Sequence, residues 1–150
     1  MKKFKFSLDG VLSYKQQILD ALKGEHALIL GEVHAQEEHL ANCWARYRDY
    51  NEEYCRRSKV GMSVTDALIC QSSLRAMERE IQQETAALEA LQKKEEQKRE
   101  EVVEAKKETS SIEKLKEKKL ADYRKAEAKS EELFVEEFVS MTRLLESPGV

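Results

Sequence analysis

A chain of 150 residues that is 37% charged and 41% apolar, with five Gly and one Pro, lacks the punctuation for strands or for a series of short helices. Its 26 basic and 29 acidic side chains are mixed along the sequence to a net charge of -3, which leaves no strong field to attract nucleic acid or anionic lipid. Abundant Glu, Lys, Ala, Leu and Gln is the composition of long helices and coiled coils.

The opening Met1-Lys2-Lys3-Phe4-Lys5-Phe6 is basic but has no apolar run of signal-peptide length behind it, and no stretch reads as transmembrane. The protein is therefore expected in the cytosol, with no direct membrane insertion. Cys43, Cys55 and Cys70 are widely spaced and form no CxxC, which suits a reducing compartment and reads as three small apolar helix residues.

The first helix is written in a four-three spacing: Leu8, Leu12, Lys15, Leu19, Leu22, His26, Ile29, Val33, Gln36, Leu40, Cys43, Tyr47, Tyr50 and Tyr54. All but Lys15, His26 and Gln36 are apolar or aromatic, so these positions form the a/d seam of a coiled coil. The pattern predicts a helix over residues 7–58, about 75 Å at about 1.5 Å per residue, too long for a small globular core and in need of an equally long partner. Gly24 and Gly31 fall inside it and leave two readings open, close helix approach or a locally weak segment.

Residues 59–63 are the turn. Gly61 can adopt the left-handed conformation that closes a helix, while Arg56, Arg57 and Lys59 complement the negative end of the dipole. Ser63 with Asp66 resembles a capping box with Asp in place of Glu, and Val64, Ala67 and Leu68 start a new apolar repeat.

The second helix is expected over residues 64–145. Ala67, Cys70, Leu74, Met77, Ile81, Glu84, Leu88 and Leu91 continue the seam, which weakens where Glu95 and Lys98 occupy seam positions in a Glu/Lys run that reads as a solvated face. Val102, Ala105 and Ile112 partly restore it. Ser110 with Glu113 could cap a third helix, but no Gly or Pro supports a break, and the helix reads as continuous. Folding back at the turn sets Tyr54 near Leu68 and Leu8 near Lys114. Past about Lys118 the second helix then has no partner except Met1 to Phe6, yet Phe134, Phe138, Met141 and Leu145 share one stripe, widened by Leu133, Val135 and Leu144. Uncovered apolar area of this kind marks a binding surface.

A two-helix hairpin has no interior in which catalytic groups converge, and none of the glycines sits in a phosphate-loop pattern, so neither an enzyme nor a cofactor is expected. No metal is expected either: His34 and His39 are off each other's face, and no cysteine is expected to join them at ligand spacing. His26 reads as a core or register residue. Tyr47, Tyr50 and Tyr54 admit two readings, a wide aromatic end to the seam with hydroxyls at the rim, or, together with Trp44, a docking surface.

The opening Phe4-x-Phe6-x-Leu8-x-x-Val11-Leu12-x-x-Lys15, the turn Gly61-Met62-Ser63-Val64 and the late Glu132-Leu133-Phe134-x-Glu136-Glu137-Phe138, in this order and spacing, resemble the flagellar FliJ family along the whole length. The resemblance implies an all-α antiparallel two-helix coiled-coil hairpin, similar to the central stalk of rotary ATPases. It also implies a non-enzymatic cytoplasmic component of the flagellar type III export apparatus, peripheral to the inner membrane. Its partners would be the export ATPase ring, the cytoplasmic domain of the export-gate membrane protein and substrate-specific export chaperones. Trp44, Tyr47, Tyr50 and Tyr54 near the turn and Phe134, Phe138, Met141 and Leu145 at the free end are the expected partner-binding residues. Two alternatives stand beside it: a self-assembling structural coiled coil, with the free end as a dimerisation arm, and the equivalent stalk protein of a virulence secretion system.

Overall fold

In the computed structural model, which describes residues 2–147, the chain forms two helices, α1 (Asp9–Val60) and α2 (Val64–Glu146), packed against each other as an all-α hairpin. Met1, the first residue of the expected partner segment Met1 to Phe6, and residues 148–150 lie outside the described residues.

The turn follows from its chemistry. Arg57 and Lys59 lie in the last turn of α1, and Gly61 takes a φ of +116°, a conformation L side chains rarely adopt, while its N–H still donates to the Arg57 carbonyl at 3.1 Å. Two residues on, the Ser63 hydroxyl accepts from the Asp66 N–H at 3.1 Å, which caps α2 and sets an acidic residue in its first turn.

Packing divides the chain into two units, each built from a stretch of both helices. In the unit Asp20–Glu104, Ile29, Val33, Cys43, Cys70 and Ile81 are buried along the seam. Its polar seam residues find partners on the facing helix: His26 Nε2 meets Glu95 Oε1 at 2.9 Å, and the Gln36 amide donates to the Glu84 carbonyl at 3.1 Å and to its carboxylate. Lys98 donates to Glu25 at 2.8 Å and to Glu101 at 3.0 Å. The weak part of the α2 seam is thus an ion-paired stretch, with Glu95 and Lys98 half-buried instead of wholly solvated. Such groups contribute little net stability but penalise pairings that would leave them without partners.

In the other unit, which takes the chain up to Leu19 and from Ala105 onward, Phe6, Leu12, Leu19 and Thr109 are buried. Lys15 pairs with Glu108 and Lys116 with Asp9, each at 2.8 Å. The segment before α1 lies on α2: the Phe4 and Tyr123 rings are 5.5 Å apart, and the Tyr123 hydroxyl donates to the Lys2 carbonyl at 2.6 Å. α2 runs unbroken through Ser110, and the neighbouring Thr109 and Ser111 hydroxyls bond back to the Ala105 and Lys107 carbonyls one turn earlier in the same helix.

Candidate partner interfaces

The first candidate surface lies in the unit Asp20–Glu104, on the stretch of α1 that ends at the turn. Tyr47, Tyr50 and Tyr54 occupy seam positions and are half-buried, since a four-three spacing keeps all three on the face toward α2. Their hydroxyls reach the rim. Tyr47 donates to Glu78 Oε1 at 2.9 Å, and the Tyr54 hydroxyl accepts from the Gln71 amide at 3.3 Å. Trp44, one turn before Tyr47 and off the seam, is 46% exposed and meets the Tyr47 ring edge-on, with centroids 6.0 Å apart. Beside this pair runs a groove of about 460 Å³ floored by Ile81, Thr85 and Ala86. Tyr47 therefore lines the groove together with Trp44, which is the more accessible of the two, while Tyr50 and Tyr54 continue the seam toward the turn.

The hydrogen bond to Glu78, with partial burial and the carboxylate's charge behind it, raises the Tyr47 pKa above its ordinary value of about 10. Because the folded value is the higher one, the stabilisation is present in full below about pH 10 and is lost as pH rises through the raised folded value. Phenolate absorbance during an alkaline titration should show Tyr47 ionising above its ordinary range. Glu78→Gln is expected to bring Tyr47 back toward its ordinary value, and an unchanged late step would assign it to a different ring.

The second candidate surface lies on α2 in the other unit. Among the described residues, neither α1 nor the segment before it covers the helix beyond Tyr123 and the half-buried Glu127, and Phe134, Phe138, Met141 and Leu145 are all exposed, Phe138 by 63% and Leu145 by 85%. Leu133, Val135, Val139 and Leu144 are exposed beside them. Val139 belongs to this surface although the helical stripe does not select it. The glutamates Glu131, Glu132, Glu136 and Glu137 lie among these apolar side chains. An apolar surface with acidic residues set through it fits a protein partner better than an anionic membrane. Among the described residues, no helix is long and apolar enough to cross a membrane.

One cluster departs from the sequence reading. His39 and Cys43 are one helical turn apart on α1, with Nε2 and Sγ 3.9 Å from each other, and Glu80 of α2 brings Oε1 to 3.8 Å from the sulfur. The sequence reading expects no cysteine at ligand spacing, yet Cys43 stands four residues beyond His39 on the same helix face, and Glu80 joins the pair only through the register of the two helices. Arg46 lies against the same atoms, its Nη2 3.4 Å from Cys43 Sγ and 3.2 Å from Glu80 Oε1. The contact with Cys43, and then the Glu80 charge, raise the Arg46 pKa still further above its ordinary value.

A family model described as Flagellar FliJ protein matches residues 4–145. No match was found among curated proteins or among solved structures.

Proposed function

Because this chain belongs to the FliJ family of flagellar proteins, we propose that it is a non-catalytic, stalk-like component of the flagellar type III export apparatus, held at the cytoplasmic face of the inner membrane by its partners. On this reading the free end of α2 enters the export ATPase ring, the Trp44 and tyrosine surface meets the cytoplasmic domain of the export-gate protein, and the protein escorts substrate chaperones. The observation that carries the proposal is the exposed stripe of Phe134, Phe138, Met141 and Leu145, large apolar area that the hairpin leaves uncovered. A dimerisation arm would show the same stripe, and solution mass distinguishes the two. A monomer that binds the ATPase supports the stalk reading, and a tight dimer without ATPase binding supports self-assembly.

The gate contact is tested separately with the double variant Tyr50→Ala, Tyr54→Ala. Aromatic anchors at interfaces commonly contribute about 2 kcal/mol or more each, so gate-domain binding should weaken by at least about tenfold in a pull-down titration. Helical circular dichroism should change little, because Ala has the higher helix propensity. A lowered melting point with unchanged gate binding would assign the tyrosines to the seam alone.

A further inference from the structure

The geometry points to a zinc site across the two helices, formed by His39 Nε2, Cys43 Sγ and Glu80 Oε1. Three kinds of donor used by zinc, an imidazole nitrogen, a thiol sulfur and a carboxylate oxygen, lie within 4.8 Å of one another. With Zn–S near 2.3 Å and Zn–N or Zn–O near 2.0–2.1 Å, a tetrahedral ion needs donors about 3.3–3.6 Å apart. The observed 3.9 Å from sulfur to imidazole and 3.8 Å from sulfur to carboxylate close to that range with small side-chain rotations.

The backbone supports the same reading. His39 and Cys43 are one turn apart on α1, and Glu80 and Glu84 are one turn apart on α2, so two adjacent pairs face each other across the seam. Glu84 Oε1 is 3.6 Å from His39 Nε2, near enough to supply the fourth donor or to orient the imidazole. Cys43 is 3% exposed, which protects a bound sulfur from oxidants, while His39 is exposed and gives an ion a way in.

A cation already occupies part of this field. The Arg46 guanidinium lies against both Cys43 Sγ and Glu80 Oε1, but its side chain is 61% exposed and can swing into solvent. Zinc would take its place, with the Cys43 thiol losing its proton to solvent as the sulfur becomes a thiolate ligand. The soft sulfur beside an imidazole selects zinc over magnesium or calcium. Because its ligands come from α1 and α2, bound zinc would fix the register of the unit Asp20–Glu104.

The test is Co²⁺ titration of the reduced full-length chain carrying Cys55→Ser, which removes the exposed thiol. One equivalent of Co²⁺ should produce near-ultraviolet thiolate-to-metal absorption that Zn²⁺ abolishes by displacement. Cys43→Ser should remove this band, and Glu80→Gln and His39→Ala should each weaken binding by at least about tenfold. Arg46→Ala should tighten it by removing the competing cation. Glu80 and His39 are not buried, so their variants report on binding even if Cys43→Ser perturbs the seam. Absence of a band, a band that survives Cys43→Ser, or binding indifferent to both Glu80→Gln and His39→Ala would overturn the site.

Discussion

Cutting the chain after Ala128 is expected to leave a folded protein that no longer binds or stimulates the export ATPase. The removed segment contains Leu133, Phe134, Val135, Phe138, Val139, Met141, Leu144 and Leu145, all exposed in the hairpin. Their loss therefore takes little burial from the fold. At a partner surface, each such side chain, fully buried, can contribute about 1.5–3 kcal/mol, so losing several lowers affinity by orders of magnitude. The contacts that close this unit, Phe4 with Tyr123, Lys116 with Asp9 and Lys15 with Glu108, all lie before the cut. Thermal melting should stay within a few degrees of the full-length protein while ATPase stimulation disappears. Retained stimulation would move the ATPase contact to the end near the turn, and a large drop in melting temperature would show that the segment stabilises the hairpin.

Val33→Asp should do the reverse. Val33 is 6% exposed on the seam, one turn from Gln36 and its partner Glu84, so the substitution buries a carboxylate in a stretch that already holds one. The cost is expected to be at least about 3 kcal/mol, a large share of the about 5–15 kcal/mol that holds an ordinary domain together. Urea denaturation should show the midpoint falling sharply. The same charge at Phe138, which is 63% exposed, should leave the midpoint nearly unchanged and weaken only partner binding. A small effect at Val33 would mean that this part of the seam opens to water.

Much of the hairpin was legible in the sequence because it rests on local rules. Every seam position read from the four-three spacing of α1, Leu8 through Tyr54, is buried or half-buried, since the period alone decides which face meets the partner. Gly61 and the Ser63 with Asp66 cap were equally legible, being short-range backbone chemistry. What needed the second helix was not. In sequence alone Glu95 and Lys98 read as solvent-facing interruptions, because His26 and Glu25, which stand opposite them, belong to the other helix. The His39, Cys43 and Glu80 cluster escaped for the same reason, although its α1 half was visible as a four-residue spacing. The exposed stripe of α2 could be read because an excess of apolar residues beyond the reach of the first helix is a matter of counting.

The turn at Gly61 also orders the events of folding. Facing pairs begin with Tyr54 and Gln71, 17 residues apart in sequence, and extend to Lys2 and Tyr123, 121 residues apart. Closing the longest of these loops from a disordered chain would be entropically costly, but each pair formed outward from the turn leaves only a few residues to order before the next. The hairpin can therefore zip from Gly61 toward its open end and fray in the opposite direction. Tyr123 and the segment before α1 would then be the last contacts made and the first released, while the aromatic surface near the turn stays closed.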